Sequence, residues 1–334
     1  MTTERAASAA GVAAAARRLR LAACAALLCA SSAIAQPYPS KPIRFLVPYA
    51  PGGVGDITAR LVAQKMSENM GQQLIVENRP SAGLVVATEL AAKAEPDGYT
   101  IALVGNGTAI SASLFRSLPF DLVDGFTHIS TIGFFDLAVL ATAESRFKSL
   151  SDVLAYARTN PGRLNIGTIN IGSTQHLAAE LFKSMAGIDA QTVPFKATSS
   201  VVTALRSGDV DIAFEILAPV MSQIRSNSLN VLAIASDKRF AGLPQAPTVA
   251  ESGLPGYLAS SWNGISVTVK APKAIVERLN REVAAAVNAP DLRRKMQELG
   301  IEGRASTPEE MRALVVADMA KWKAVIERAR IPIQ

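Results

Sequence analysis

Two glycine-rich turns in the sequence offer backbone groups that could bind an anion. The first turn, Pro51-Gly-Gly-Val-Gly-Asp56, follows the apolar run Ile43–Val47 and precedes a helical pattern. Glycine lets a backbone approach a ligand closely, and the first N–H groups of a helix carry a partial positive charge, which suits a carboxylate. Asp56 could cap the helix or bind an amine of the ligand. An ordinary tight turn with an Asp cap is the alternative.

The second turn, Gly172-Ser-Thr-Gln-His176, also lies between a predicted strand and a predicted helix. Ser173 and Thr174 can cap the helix, contact an anion, or do both. His176 lies about one turn into the helix, where its ring could donate to a carboxylate, although a lone histidine is more often a structural hydrogen bonder. Lys196 follows another predicted strand, so it either lines the same cleft or is a solvated surface charge.

The sequence carries no common signature of catalysis. It has no G-x-S-x-G, Walker A, H-E-x-x-H or complete G-x-G-x-x-G pattern, and Gly105-Asn-Gly107 lacks the third glycine. Both cysteines, Cys24 and Cys29, fall within the first 35 residues, which are the predicted secretion signal and would be removed, and the chain has only 2 histidines. Thiol catalysis, disulfides and a metal site are therefore disfavoured. We expect a protein that is not an enzyme and uses no metal or other cofactor.

Residues 1–35 have the pattern of a removable secretion signal. Four arginines and one glutamate precede an uncharged run that ends in Ala33-Ile-Ala35, a small-x-small site for signal peptidase. The run is short for a bilayer span, which needs about 20 apolar residues, so a membrane anchor is the less favoured alternative. We expect export to the periplasm with cleavage after Ala35. The 30 basic and 27 acidic residues that follow do not cluster, which argues against nucleic-acid binding.

The elements that must position the two turns alternate between strands and helices. Residues 43–104 predict a strand–helix–strand–helix–strand series, which is typical of a parallel sheet covered by helices on both faces. A second series of strands and helices runs from about 137 to 235. In open parallel sheets the ligand crevice lies beyond the carboxyl ends of the strands, and both turns fall at such ends.

The order of the predicted elements indicates a clamp of two α/β domains. One strand leaves the first domain near residue 138 and one returns near residue 262, which together make a two-strand hinge around a ligand cleft. The predicted segments are a signal peptide at 1–35, domain 1 at 36–137 plus 263–334, and domain 2 at 138–262.

A series of short motifs runs in a fixed order from Tyr38 to about Ile331. The motifs are Tyr38-Pro-Ser-Lys-Pro-Ile-Arg44, Val47-Pro-Tyr-Ala-Pro-Gly-Gly53 with Asp56 and Arg60, Val76-Glu-Asn-Arg-Pro80, Pro96-Asp-Gly-Tyr-Thr100, His176-Leu-Ala-Ala-Glu-Leu-Phe182, Val193-Pro-Phe-Lys196, Pro247-Thr-Val-Ala-Glu-Ser-Gly-Leu-Pro255 and Trp262-x-Gly264. In this order they resemble the receptors of tripartite tricarboxylate transporters, the Bug family of extracytoplasmic solute receptors.

The resemblance implies a type II periplasmic-binding-protein fold whose two domains close on a small organic carboxylate. It implies that backbone amides and water hold the carboxylate, and that the receptor serves a membrane transporter with a large and a small subunit. Carried over to this sequence, the first-domain contacts are Tyr49, Gly53, Val54 and Asp56, the second-domain contacts are Ser173, Thr174, His176, Lys196 and Ala197, and Glu215 lies at the back of the cleft.

Three departures from the family pattern leave the ligand open. Leu84 stands in a turn that is usually glycine-rich, Ala197-Thr198 follows the lysine where glycine is common, and Glu215-Ile216 replaces Asp-Asn. A secreted enzyme acting on a carboxylated metabolite and a sensory receptor remain alternative functions. We expect a monomer, because a clamp needs free lobes.

Overall fold

Two β-sheets and ten helices make up residues 38–334, the part of the chain that the computed structural model describes. The predicted signal peptide lies outside the described residues. The strands are β1 (Ile43–Val47), β2 (Leu74–Asn78), β3 (Thr100–Gly105), β4 (Phe126–Phe135), β5 (Leu137–Thr142), β6 (Asn165–Ile169), β7 (Gln191–Phe195), β8 (Ile212–Ile216), β9 (Leu229–Ile234), β10 (Ser261–Thr268) and β11 (Ile301–Glu302).

The helices cover the faces of these sheets, as the predicted α/β class requires. They are α1 (Val54–Met70), α2 (Val85–Ala92), α3 (Asn106–Leu114), α4 (Leu150–Thr159), α5 (Thr174–Ala186), α6 (Thr198–Ser207), α7 (Leu217–Arg225), α8 (Lys273–Asn288), α9 (Pro290–Glu298) and α10 (Pro308–Arg328), and a 3₁₀ turn, Ala82–Leu84, precedes α2. Within the described range, no helix is both long and apolar enough to span a membrane.

The first sheet has the strand order β11-β4-β10-β3-β1-β2. Alternate residues of its strands point to opposite faces, so Leu46, Ala102 and Val104 pack with α2, α3 and α10 in one buried cluster. The second sheet has the order β7-β6-β8-β5-β9, and its cluster joins Ala213 and Leu140 to α6 and α7.

The parallel strands predicted over residues 43–104 are confirmed, and each sheet also contains antiparallel strands near the hinge. β1, β2 and β3 are parallel, as are β6, β7 and β8, but β10 runs antiparallel to β3 and β4, and β5 runs antiparallel to β8 and β9. A chain that leaves one sheet for the other and later returns must cross the gap in both directions. The strands that enter each sheet after a crossing, β5 and β10, therefore oppose the strands formed by the strand–helix repeats.

The hinge is formed by two chain crossings. Only Asp136 separates β4 from β5, and the returning chain enters β10 after Ala259, whose N–H donates to the carbonyl of Ala235 at 2.8 Å. The strands of the first sheet lie in 43–135 and 261–302, and those of the second in 137–234. Because residues 41–334 form one compact unit by their contacts, the exact domain boundaries stay a prediction.

Sequence reasoning missed β4 and three short helices, α3, α7 and α9. The strand Phe126–Phe135 carries Thr, His and Ser, so it lacks the apolar run of a buried strand. The structure buries it nonetheless, because its polar side chains have protein partners. His128 Nδ1 lies 2.9 Å from Ser266 Oγ, and Thr131 Oγ1 donates to the carbonyl of Arg304 at 2.7 Å.

Candidate functional site

The turn between β1 and α1 is held in place by Asp56. One carboxylate oxygen accepts from the N–H of Gly52 at 2.9 Å, and the other accepts from Arg60 Nε at 2.9 Å and Asn78 Nδ2 at 2.8 Å. Asn78 Nδ2 also donates to the carbonyl of Tyr49 at 3.0 Å. Burial acts to raise the pKa of Asp56, but these hydrogen bonds outweigh it and lower the pKa. Asp56 is therefore an ionised anchor of the turn.

Helix α1 starts without a side-chain cap, because the residue at its N-cap is Gly53. Both Gly53 and Val54 are half-exposed. The first N–H groups of a helix have no partner within the helix, so this end offers backbone donors with a partial positive charge. The predicted contacts Gly53 and Val54 thus lie at a helix end suited to an anion.

Tyr49 connects this turn to the start of α3. Its hydroxyl lies 2.7 Å from the point that a Cβ on Gly107 would occupy, and its ring covers Gly55 in the first turn of α1. Glycine is needed at both positions, since a side chain there would overlap the tyrosine. Burial raises the pKa of Tyr49 well above its ordinary value, so the hydroxyl is neutral.

A buried chain of hydrogen bonds joins the two sheets through α3. Thr174 Oγ1, at the start of α5, donates to Asn106 Oδ1 at 2.7 Å, and Asn106 Nδ2 donates to Asp318 Oδ2 at 2.8 Å. The same oxygen of Asp318 accepts from Trp262 Nε1 at 2.6 Å. Close by, Gly172 has a φ of 80° and passes Leu114 of α3 so closely that a Cβ would overlap that side chain.

The start of α5 is capped from within the protein. Ser173 Oγ accepts from the N–H of His176 at 3.0 Å and donates to the carbonyl of Ile169 at 2.9 Å. Burial lowers the pKa of His176, so its ring is neutral near pH 7, and its buried Nδ1 has no hydrogen-bond partner among the described residues. The ring can therefore accept or donate one further hydrogen bond, according to its tautomer.

Glu215, the second-last residue of β8, lies between the starts of α5 and α6. Its side chain is fully buried, and Oε2 accepts from Gln175 Nε2 at 3.3 Å and Thr198 Oγ1 at 3.2 Å, whereas Oε1 has no partner among the described residues. Burial raises the pKa of Glu215 to about 7, although the hydrogen bonds act in the opposite direction. Near neutral pH this carboxyl group can thus be either a donor or an acceptor.

Helix α6 provides the remaining predicted contacts. Ala197 occupies its N-cap position, and no side chain caps this helix end. Lys196 and Ala197 are both exposed, so they lie at the rim and not in the buried part of the site.

Taken as a group, the predicted residues border a ring of four helix N-termini. Helices α1, α3, α5 and α6 each begin at the carboxyl end of a strand, namely β1, β3, β6 and β7. Tyr49 links α1 to α3, Asn106 and Thr174 link α3 to α5, and Glu215 links α5 to α6. Several helix N-termini facing one region stabilise negative charge without a cationic side chain. In residues 38–334, no group of three His, Cys, Asp or Glu side chains could hold a metal ion.

The chain matches a known protein family over most of its length. Residues 58–331 match the family described as the tripartite tricarboxylate transporter family receptor. The chain belongs to this receptor family. As a member, it is a solute-binding receptor, and the resemblance drawn from the sequence motifs is confirmed.

Several solved structures share the fold. The structure of the periplasmic binding protein BugD matches with a TM-score of 0.81 and 27% identity, covering 89% of this chain and 100% of that chain. R. palustris Rpa4515 with adipate has a TM-score of 0.83 and 31% identity, covering 88% and 99%. MatC from Rhodopseudomonas palustris with bound malate has a TM-score of 0.78 and 28% identity, covering 86% and 100%. The predicted two-domain α/β fold of the tricarboxylate-type receptors is confirmed.

Sequence reasoning missed several residues that build this candidate site. Gly105-Asn106-Gly107 resembles part of a dinucleotide motif, although its place after a strand is also a signal for a binding turn. Asp318 shares the buried stripe of α10 with Met311, Val315 and Trp322. An acid on an apolar helix stripe signals a buried partner. Gln175 carries no comparable signal.

Proposed function

We propose that this receptor captures a small organic carboxylate between its two lobes and delivers it to a membrane transporter with a large and a small subunit. In this proposal the protein is exported as a monomer, its signal peptide is cleaved after Ala35, and it performs no chemistry on the ligand. The ligand binds the closed arrangement more tightly than the open one, so binding shifts the population toward closure.

The single observation that carries the proposal is the ring of helix N-termini. Helices α1 and α6 begin without side-chain caps, so their first N–H groups are available to the oxygens of a carboxylate. Among the described residues, the carboxyl groups at these helix starts are Asp56 and Asp318, whose oxygens protein donors already hold, and Glu215, which burial drives toward its neutral form. Repulsion of an anionic ligand is thereby reduced.

The relatives support the same ligand class. One structural neighbour was solved with adipate and another with malate, and both are carboxylates. Membership of a transporter receptor family supports delivery to a membrane partner.

A thermal-shift screen tests the ligand class. The protein is first unfolded and refolded to remove copurified ligand, and is then mixed with mono-, di- and tricarboxylates, including succinate, malate, butyrate, 3-hydroxybutyrate and adipate. A ligand at 100 times its dissociation constant stabilises the folded state by about 2.7 kcal/mol. This corresponds to several degrees for domains of this size, at about 2–4 °C per kcal/mol. No shift with any carboxylate would contradict the proposal.

A matched pair of variants tests the role of the helix amides. Val54→Pro removes one N–H from the first position of α1, where proline fits the helix, and Gly53 already has the extended backbone that a following proline requires. Val54→Ala changes the side chain but keeps the N–H. We expect the proline variant to fold normally and to bind the identified carboxylate at least tenfold more weakly than the alanine variant. Equal affinities would exclude the amide as a ligand contact.

A further inference from the structure

Leu84 has a backbone conformation that leucine rarely adopts. Its φ is 57° and its ψ is 21°, in the left-handed region. Among residues 38–334, only Asn227 and Arg330 are other non-glycine residues with a positive φ. Asparagine tolerates this region, whereas a bulky apolar residue is strained there. Such strain persists where the surrounding structure enforces it and tends to mark functional positions.

The turn around Leu84 is fixed by its neighbours. The N–H of Leu84 donates to the carbonyl of Ser81 at 3.1 Å, and Ser81 Oγ accepts from the N–H of Val86 at 3.0 Å. Thr88 Oγ1 donates to the carbonyl of Leu84 at 2.8 Å. Gly83 lies directly against the ring of Phe115, where a Cβ would come within 2.6 Å of that ring. The backbone is therefore held in place, and glycine at position 84 would relieve the strain.

The side chain of Leu84 lies at the ring of helix N-termini. Its Cδ1 atom is 2.9 Å from the point that a Cβ on Gly107 would occupy, and the hydroxyl of Tyr49 approaches the same point. Gly107 follows Asn106, the residue that Thr174 contacts from the second sheet. Leu84 is half-buried, so part of its surface remains open beside these groups.

We propose that Leu84 determines ligand specificity by presenting a hydrocarbon surface beside the amides that hold the carboxylate. The receptor then accepts acids whose carbon chain is unsubstituted next to the carboxylate-binding region and discriminates against acids with a hydroxyl group there. A leucine side chain cannot hydrogen-bond a hydroxyl group, and burying an unpartnered hydroxyl is unfavourable. The inference rests on the proposed carboxylate-binding function and adds the class of carboxylate.

Two pairs of acids that differ by one hydroxyl group test the inference. Succinate is compared with malate and butyrate with 3-hydroxybutyrate, by calorimetric titration of the wild type and of the Leu84→Asn variant. Asparagine tolerates the left-handed backbone and can hydrogen-bond a hydroxyl group. We expect the wild type to bind the unsubstituted acid of at least one pair about tenfold more tightly, and the variant to reduce that preference at least fivefold.

Two further variants are needed: Leu84→Gly tests the side chain by removing it, and Asn227→Gly is the control at another position of positive φ. Leu84→Gly removes the hydrocarbon surface and the strain together, so it folds and loses the same preference. Asn227→Gly, at an exposed position of positive φ in the second lobe, keeps the wild-type preference. Tighter binding of the hydroxylated acids by the wild type, or an unchanged preference in both Leu84 variants, would overturn the inference alone. A wild type that binds no acid of the full carboxylate panel overturns the proposed function and this inference together.

Discussion

Replacing Asp318 with alanine removes the acceptor that two buried donors share. Asp318 is 9% exposed, and its Oδ2 accepts from Trp262 Nε1 at 2.6 Å and from Asn106 Nδ2 at 2.8 Å. Both donors are themselves buried. In the alanine variant the indole and the amide would each lose this partner.

The expected loss of stability follows from these two donors. Leaving a buried polar group without a partner costs about 1–3 kcal/mol, so two donors give about 2–6 kcal/mol. Removing the buried carboxylate also removes its own desolvation penalty, which favours the lower half of that range. We therefore expect the free energy of unfolding to fall by about 3 kcal/mol in Asp318→Ala. Asp318→Asn, which keeps one oxygen acceptor, loses less.

Equilibrium unfolding in guanidinium chloride, followed by tryptophan fluorescence and circular dichroism, measures this loss. Asp291→Ala is the control, because the carboxylate of Asp291 is exposed and pairs with Lys65 at 2.9 Å, so its removal should shift the unfolding midpoint far less. A loss below about 1 kcal/mol in Asp318→Ala would show that the buried bonds contribute little, and would refute the reasoning about the two donors.

Three further outcomes are expected. Burial raises the pKa of Glu215 from 4.5 to about 7. Between these two pH values the folded state retains a proton that the unfolded state releases, so the free energy of unfolding declines as the pH rises from 4.5 to 7. Glu215→Gln should reduce this decline by on the order of 3 kcal/mol, measured by urea unfolding at pH 5 and pH 8. An equal change of unfolding free energy with pH in the wild type and the variant would contradict this prediction. Thr174→Val should weaken the binding of the identified carboxylate about five- to tenfold in calorimetry, because it removes the hydrogen bond to Asn106 between the lobes. Ser261→Ala is the control and should have a smaller effect, because Ser261 Oγ lies 3.4 Å from Thr174 Oγ1. Asp56→Asn should lower the melting temperature by a few degrees, because an amide cannot accept hydrogen bonds from Gly52, Arg60 and Asn78 at once, and an unchanged melting temperature would count against this role.

The fold could be predicted from the sequence wherever local pattern and burial agree. The turn before α1 follows an apolar strand and carries three glycines, so its place at the end of a parallel strand was evident. β4 was missed because polar side chains in a buried strand are stabilised by distant partners, such as Ser266 and Arg304, which no local window contains. The hydrogen bond between Thr174 and Asn106 joins residues 68 positions apart, so its existence depends on how the two sheets pack. Glycine signals locate a binding turn, but the side chains that shape its pocket depend on that packing.

The ring of helix N-termini has a consequence for how this receptor family can diversify. Its donors are backbone N–H groups, which every residue except proline supplies, so under the proposed function a substitution that keeps the backbone in place would preserve the affinity for a carboxylate. Under the same proposal, substitutions of side chains beside the rest of the ligand, such as Leu84, would change the ligand preference without abolishing binding. Such a separation lets one ancestral scaffold give rise to receptors for many different acids. It also explains how relatives with about 30% identity keep the same architecture while binding different compounds, as adipate and malate illustrate.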